Sequence, residues 1–304
     1  LSERRKLQIK KHTLQTPYPV GPVHFYTYET DKYILIFDTG PRTEEASEYL
    51  TEIFDNKKQK YLFITHCHVD HYGMLDFFEK RSDTEIFISK YDLFKFERID
   101  ERLGNLKRLL AGEGFPEDII LAIEGSLRYF MYFVPFPKRY NVLEENEKYV
   151  SELGIAFERC AGHSQSDILY KTDGNAVSGD IILRNIFQTP LLDMDFHDIN
   201  KRFRNYDAFI NTAMTLKRLK DYNFLPGHRD YIDSVDERIR FYTSKVKERS
   251  AFLQDICRKC SVFDVVKRLV DDPIKNPFTT YIKTSETFFI KDYLLAPEKL
   301  DGVL

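Results

Sequence analysis

Residues 65–73 read THCHVDHYG. They set His66, His68, Asp70 and His71 inside six consecutive positions of a 304-residue chain that holds only eight histidines. Imidazole nitrogen and carboxylate oxygen are the donors that zinc and similar divalent ions accept. Side chains two apart in an extended loop point to the same side, so His66 and His68 present their rings together. Asp70 and His71 follow at a turn. Four donors on one loop serve two adjacent ions without completing either coordination sphere, so further ligands must come from elsewhere. Three later stretches carry suitable residues: CAGHSQSD has His163, SGDIIL has Asp180 and LPGHRD has His228, each beside a glycine after a strand-like run. Taken singly, a histidine such as His228 is most simply a packed or solvated residue. Packing does not explain the whole set, because each member falls at a strand-to-loop junction, where a layered α/β domain places its chemistry.

The elements that must position these residues alternate in the first half of the chain. VHFYTYE (23–29) and YILIFDTG (33–40) read as neighbouring strands with a turn at Thr30 and Asp31. RTEEASEYLTEIF (42–54) has helical apolar spacing, with Thr43 as N-cap. KYLFIT (60–65) is a short buried strand that ends in the histidine cluster, and EIFISK (85–90) is another. Residues 91–147 break the alternation. FERIDERLGNLKRLLAGEGF reads as a helix stopped by Gly112 and Gly114. PEDIILAIEGSLRYFMYF restarts at Pro116, and PFPKRYNVLEEN is a loop. Together they form a helical hairpin inserted between sheet elements. Strands resume in KYVSELGIAFERC (148–160), DILYKT (167–172) and NAVSGDIIL (175–183). A helix over 206–220, a short strand NFLPGH and helices over 234–260 and 261–272 follow. The tail from residue 273 reads as aromatic and irregular.

H-x-H-x-D-H, then G-H, then G-D, then P-G-H, in this order, resembles the metallo-β-lactamase-fold hydrolase superfamily, in its glyoxalase II-like and lactamase-β-like branch. The motifs together are far more specific than any one alone, and by element order they cover roughly residues 20–255. The resemblance implies an α/β fold, a four-layer αββα sandwich with a binuclear metal site at one edge. The body would span 1–255, with the helical insertion at 91–147 and a helical or irregular extension over 256–304 packed on it. Carried over position by position, His66, His68 and His163 bind the first ion. Asp70, His71 and His228 bind the second, and Asp180 bridges. Two divalent ions are therefore implied, with zinc the default and iron or manganese suited to the same donors. Asp38, in DTG, is read as a residue that orients a ligand or serves the scaffold.

The chemistry implied is hydrolysis. Water held between two such ions loses a proton near neutral pH, since zinc-bound water has a pKa of about 7. The hydroxide attacks a thioester, ester or lactone, and a metal stabilises the developing anion. Asp70 is the candidate catalytic residue, orienting the hydroxide or taking its proton. Cys67 lies between two ligands and points the other way. Substrate choice falls to the insertion, which carries Phe94, Phe96, Tyr129, Phe130, Tyr132, Phe133 and Phe136. Most of these pack the hairpin onto the body, and Phe94, Tyr129 and Phe133 are the candidates for contact with an acyl or aromatic group. Arg128, Lys138 and Arg139 are candidates for an anionic leaving group, though each is more simply solvated. His197 reads as a solvated loop residue, and His12 and His24 have no ligand company. Two competing functions are a nuclease and a metal-retaining binding protein with little turnover. The intact Asp70, His71 and His228 set argues against a mononuclear iron enzyme.

Composition narrows the field further. Hydrophobic residues make up 42% and charged residues 31%, as in soluble globular proteins. The net charge of −3 gives no general attraction to nucleic acid or anionic membrane. No apolar run reaches the roughly eighteen residues of a membrane helix. LSERRKLQIKK lacks the apolar core of a signal peptide and reads as an exposed segment. Cys67, Cys160, Cys257 and Cys260 form no disulfide framework, so a cytoplasmic protein is expected. Cys257 and Cys260 form a C-x-x-C that reads as two ordinary thiols. The expected partner is a small-molecule substrate, not nucleic acid or membrane, and the aromatic tail suggests a homodimer.

Overall fold

The computed structural model describes residues 9–257 and 260–304. Residues 1–8 of the basic run lie outside the described residues, as do Arg258, Lys259 and the Cys257 side chain of the C-x-x-C motif and the Tyr132 side chain. Six strands form the first sheet, side by side in chain order: β1 (Ile9–Leu14), β2 (Val23–Glu29), β3 (Tyr33–Phe37), β4 (Gln59–Phe63), β5 (Thr84–Ile88) and β6 (Asn141–Val142). The first three pair antiparallel, and β3 to β6 run parallel. The second sheet contains β7 (Ala156–Arg159), β8 (Ile168–Thr172), β9 (Asn175–Gly179) and β10 (Asn223–Pro226), in the order β10-β9-β8-β7.

Strand periodicity explains why the sheets stack. Along β3, Leu35 and Phe37 point one way and Ile34 and Ile36 the other. Leu35 and Phe37 meet Phe63, Phe87, Tyr170, Val177 and Leu225 in the core between the sheets. Ile34 and Ile36 pack outward with Leu62, Ile86 and Ile88. That outer face is covered by α1 (Glu44–Ile53), α2 (Leu75–Glu79) and α3 (Lys90–Glu97), through Leu50, Leu75 and Leu93. Thr43 caps α1 as the sequence predicts, its side chain accepting from Ala46 N.

The insertion continues through α4 (Ile99–Gly112) and α5 (Glu117–Phe133), and α6 (Glu147–Glu152) follows it. On the far side, Leu169, Ala176 and Phe224 of the second sheet pack under α7 (Asn205–Arg218) and α8 (Val235–Cys257). The layers are therefore helix, sheet, sheet, helix. The chain ends in α9 (Val262–Val266), α10 (Pro277–Leu295) and α11 (Glu298–Asp301). A further core joins the insertion to the C-terminal helices: Leu103, Leu106, Ile120 and Ile123 meet Val262, Val266, Tyr281 and Phe288.

Several elements differ from their sequence reading, β6 in an expected loop and the short α9 among them. The tail is not irregular, because Pro277–Leu295 is a 19-residue helix. Its apolar residues form no single stripe since α5, α7, α8 and α9 pack around it. The aromatic residues Phe288 and Phe289 are buried within the chain. Residues 147–152 are helical where a strand was expected, and Gly154, at φ 81°, turns the chain into β7. The helix expected from residue 96 is two helices, broken at Arg98. The end of the basic run is β1, paired with β2 along its whole length, with lysines on an edge strand.

Candidate metal centre

The centre stands at one edge of the two sheets, on the loops that follow β4, β7, β9 and β10. From β4 the chain enters a tight turn in which His71 N donates to His68 O at 2.8 Å. Thr39 fastens this turn, its N and Oγ1 both donating to His71 O. Thr65 N and Oγ1 donate to the two oxygens of Asp38, each at 2.8 Å. Asp38 adopts φ 66°, a left-handed conformation uncommon for a residue with a side chain, at the start of the loop that holds the site. His163 lies between α7 and a returning loop, with Leu191 N donating to His163 O and Thr212 Oγ1 to Ala161 O. Asp180 follows β9 directly. His228 follows β10 and forms an antiparallel bridge with Val23, which joins the two sheets beside the site. Gly227 permits this closeness: a Cβ there would lie 2.5 Å from His71 Cε1 and 2.9 Å from Asp180 Oδ1.

The structure brings all seven sequence-predicted residues together. His66, His68 and His163 offer donor atoms within 4.8 Å of one another, as do His66, His71 and Asp180, and Asp70, His71 and His228. His163 Nε2 is 3.0 Å from His68 Nδ1, His228 Nε2 is 3.3 Å from Asp70 Oδ2, and His71 Nε2 is 3.5 Å from Asp180 Oδ1.

The outward nitrogens are held by the protein. His71 Nδ1 donates to Asp38 Oδ2 at 2.9 Å, His163 Nδ1 to Thr189 O at 2.6 Å and His228 Nδ1 to Pro22 O at 2.8 Å. Thr65 Oγ1 gives its proton to Asp38, so it accepts from His66 Nδ1 at 3.1 Å. A neutral ring with Nδ1 protonated has its Nε2 lone pair left for a metal, the arrangement metal-binding histidines use. His66 Nε2, His71 Nε2, His228 Nε2 and Asp180 Oδ1 are buried and have no hydrogen-bond partner. Buried polar atoms without a partner are costly, and these fit bound cations, His66 and His71 beside Asp180 and His71 with Asp70 and His228.

Charge divides the centre in two. Burial, reinforced by neighbouring histidines, holds His66 and His68 well below the usual imidazole range, and burial also lowers His163. These three rings are neutral and ready to donate lone pairs. Burial also pulls on His71 and His228, but Asp180 and Asp70 more than reverse it and raise both. The carboxylates themselves are held low by His71 and His228 against the opposing effect of burial. That anionic field favours a cation at the second half of the centre.

Residues 18–228 match the family model described as the metallo-beta-lactamase superfamily. The chain belongs to that superfamily. Its fold is therefore the metallo-β-lactamase fold, and the broad class is metallo-hydrolase. A Bacillus subtilis (strain 168) protein named "Probable metallo-hydrolase YqjP" is 26% identical over 304 residues, covering 94% of this chain and 91% of that protein. A metallo-beta-lactamase family protein from Thermus thermophilus has the same fold at 19% identity, with a TM-score of 0.73 over 95% of this chain and 94% of that one. A beta-lactamase domain protein from Burkholderia ambifaria superposes with a TM-score of 0.70 at 17% identity, over 95% of this chain and 87% of its own. Such coverage takes in the insertion and the C-terminal helices as well as the sandwich.

The substrate candidates fare differently. Phe94 does not reach the site: it is 3% exposed, inside the core shared by α4 and α5, with its ring 5.5 Å from Phe196. Its position on α3 turns it toward the insertion instead of the metal loops. Tyr129 is 62% exposed, and its ring lies 5.6 Å from Phe130 and 5.8 Å from Phe133. Tyr18 is an unforeseen neighbour. Its ring is 6.4 Å from Phe130, and after burial the charges of Asp70 and Tyr129 push its phenol up to about 12. Tyr18 thus stands within electrostatic reach of both the metal loop and α5. Arg128 pairs with Asp100 and Glu124, and Arg139 is spent on the Glu79 and Arg81 carbonyls. Cys67 packs into the outer core, as expected. His12 and His24 are buried and bonded to Thr27 and Thr13, and His197 is exposed.

Proposed function

We propose that this chain is a binuclear metal-dependent hydrolase of a thioester, ester or lactone whose acyl group is apolar or aromatic. What carries this is the convergence of His66 Nε2, His71 Nε2, His228 Nε2 and Asp180 Oδ1, buried and unpaired. His66, His68 and His163 would hold one ion and Asp70, His71 and His228 the other, with Asp180 beside both sets. When bound, two divalent ions, zinc by default, supply activated water at neutral pH and stabilise negative charge on the substrate oxygen. Asp70, beside His228, orients the attacking water and takes its proton at a carboxylate oxygen. Tyr18, Tyr129, Phe130 and Phe133 form an aromatic rim that excludes water and receives the acyl group. Of the cations near the site, Arg42 is paired with Asp76 and Lys95 with Asp92, which supports a small substrate over a nucleic acid. Among the described residues Cys67, Cys160 and Cys260 are free thiols, which fits the reducing cytoplasm. No helix among the described residues is long and apolar enough to cross a membrane.

The test counts metal in protein purified without added metal. It then assays acyl-thioesters, esters, lactones, phosphodiesters and RNA with the wild type and Asp70→Ala. The expected result is near two ions per chain, with thioester, ester or lactone turnover lost in the variant. No bound metal after reconstitution, or turnover of RNA alone, overturns the proposal.

A further inference from the structure

Behind the His66–His68 turn lies a buried charged cluster that the chemistry above does not use. Lys95 on α3 is 8% exposed and Asp92, one turn earlier, is fully buried. Lys95 Nζ donates to Asp92 Oδ1 at 2.9 Å, to Ser164 Oγ at 2.9 Å and to Ser166 Oγ at 2.8 Å. Its three protons are thereby used. Ser166 Oγ also donates to Asp92 Oδ1, at 2.7 Å. The second oxygen of Asp92 accepts from Cys67 N, the backbone amide between His66 and His68, at 3.1 Å. Ser164 follows His163, and its own amide donates to Asp167 Oδ2 at 2.7 Å. One ion pair therefore grips the two loops that carry His66, His68 and His163, and it does so from the first helix of the insertion.

We infer that Asp92 and Lys95 are positioning residues for the three-histidine half of the metal centre. The inference rests on the binuclear reading above. The physical reason is the location of the ligands on separate sheets. His66 and His68 follow β4 of the first sheet, and His163 follows β7 of the second. Their donor atoms must meet at coordination distance, and β4 and β7 are not paired with each other, although Ile168 N donates to Thr65 O nearby. Asp92 sets the turn on one side through Cys67 N, and Lys95 sets the other through Ser164 and Ser166. A buried ammonium is costly unless paired and fully hydrogen-bonded, and here it is both. Asp38 plays a different part. It reaches His71 directly and His66 through Thr65, so it serves both halves. The second half's Asp70, His71 and His228 make no bond to Asp92 or Lys95. The inserted helices thus have a role in metal binding besides any contact with substrate.

The test titrates metal-free protein with Co2+, reads each equivalent by its visible absorption, and competes it with a chelator. The variants are Asp92→Asn, the milder Ser166→Ala, and Asp292→Asn as control. Asp292 forms a buried pair with Arg202 and bonds neither to Asp92 or Lys95 nor to a metal ligand, so its loss destabilises the fold without removing a bond to the ligand loops. Asp92→Asn is expected to weaken one equivalent by about 10- to 100-fold, the usual effect of removing support behind a ligand, and to leave the other unchanged. Ser166→Ala is expected to weaken the same equivalent less, and it keeps the test decisive if Asp92→Asn does not fold. Asp292→Asn is expected to lower thermal stability while both equivalents bind as in the wild type. Equal weakening of both equivalents, no weakening of either, or the same loss in Asp292→Asn overturns the inference. Wild-type protein that binds no Co2+ overturns the binuclear reading itself, and this positioning role with it.

Discussion

At the scale of single residues, the centre depends on groups that never touch an ion. Asp38 is the clearest. It holds Thr65 by two bonds and His71 by one, so replacing a carboxylate with an amide puts a donor where an acceptor is needed. Asp38→Asn is expected to lower the affinity of both equivalents by about 10- to 100-fold; chelator competition that finds wild-type affinity in either would contradict this. Gly227 acts by having no side chain. Gly227→Ala places a Cβ against His71 and Asp180, and the second equivalent is expected to be lost while the metal-free protein keeps most of its melting temperature. Two tightly bound ions in that variant would show that the loops yield more easily than their packing implies. The seven ligand-type residues were legible because their types are rare and their spacing is local. Tyr18 was not, because a tyrosine in TPYPVGP has no pattern that ties it to Asp70, fifty-two positions later. Asp92 and Lys95 gave a weak signal, charges three apart in the apolar stretch YDLFKF, which reads equally well as an exposed helical pair.

At the scale of elements, legibility followed the source of the apolar pattern. Strands β3, β4 and β5 were readable because both faces are covered and their apolar runs are continuous. Helix α10 was opaque because it is buried by four partners, and a helix covered on several sides shows no stripe. Phe288 on α10 is 5% exposed, and its ring lies 4.9 Å from the Arg202 guanidinium. Phe288→Ala is expected to cost about 3–5 kcal/mol of stability, measured by urea unfolding, with both metal equivalents retained. Strand β1 was hidden by its lysines, and its buried contribution comes from His12 and Leu14. His12 is bonded to Tyr49 and Thr27, and burial, aided by Lys10, lowers its pKa to about 4. The neutral form is the one the fold accommodates. Its stabilisation is therefore present above the unfolded value of about 6.5 and is lost as pH falls toward 4, because the unfolded chain binds the proton first. The protection factors of the β1 amides, which remove the intrinsic pH dependence of exchange, are expected to fall between pH 6.5 and 4.5, and in His12→Gln that fall should be much reduced. Equal pH dependence in the variant would place the titration elsewhere.

At the scale of the whole molecule, the metal centre is a fastening between sheets. The loop after β4 belongs to the first sheet, and the loops after β7, β9 and β10 belong to the second. Beside these loops the two sheets are joined by the backbone bridge from Val23 to His228 and by hydrogen bonds such as that from Ile168 N to Thr65 O. Ions held by ligands from both sheets bind the folded chain and not the unfolded one, so their binding energy adds to stability. Free metal at a thousand times its dissociation constant contributes about 4 kcal/mol per site. For a chain of this size each kcal/mol moves the melting temperature by about 2–4 °C. Chelation is therefore expected to lower melting by about 10 °C or more while leaving far-UV circular dichroism unchanged at 25 °C. The sandwich keeps its secondary structure without metal because the core between the sheets, built on Phe37, Phe63, Phe87 and Tyr170, is independent of the ligands. Loss of all helical and strand signal on chelation would mean that the ions, and not this aromatic core, hold the layers together. An unchanged melting temperature would mean that no ion was bound or that the unfolded chain binds it equally well, which the four unpaired donor atoms argue against.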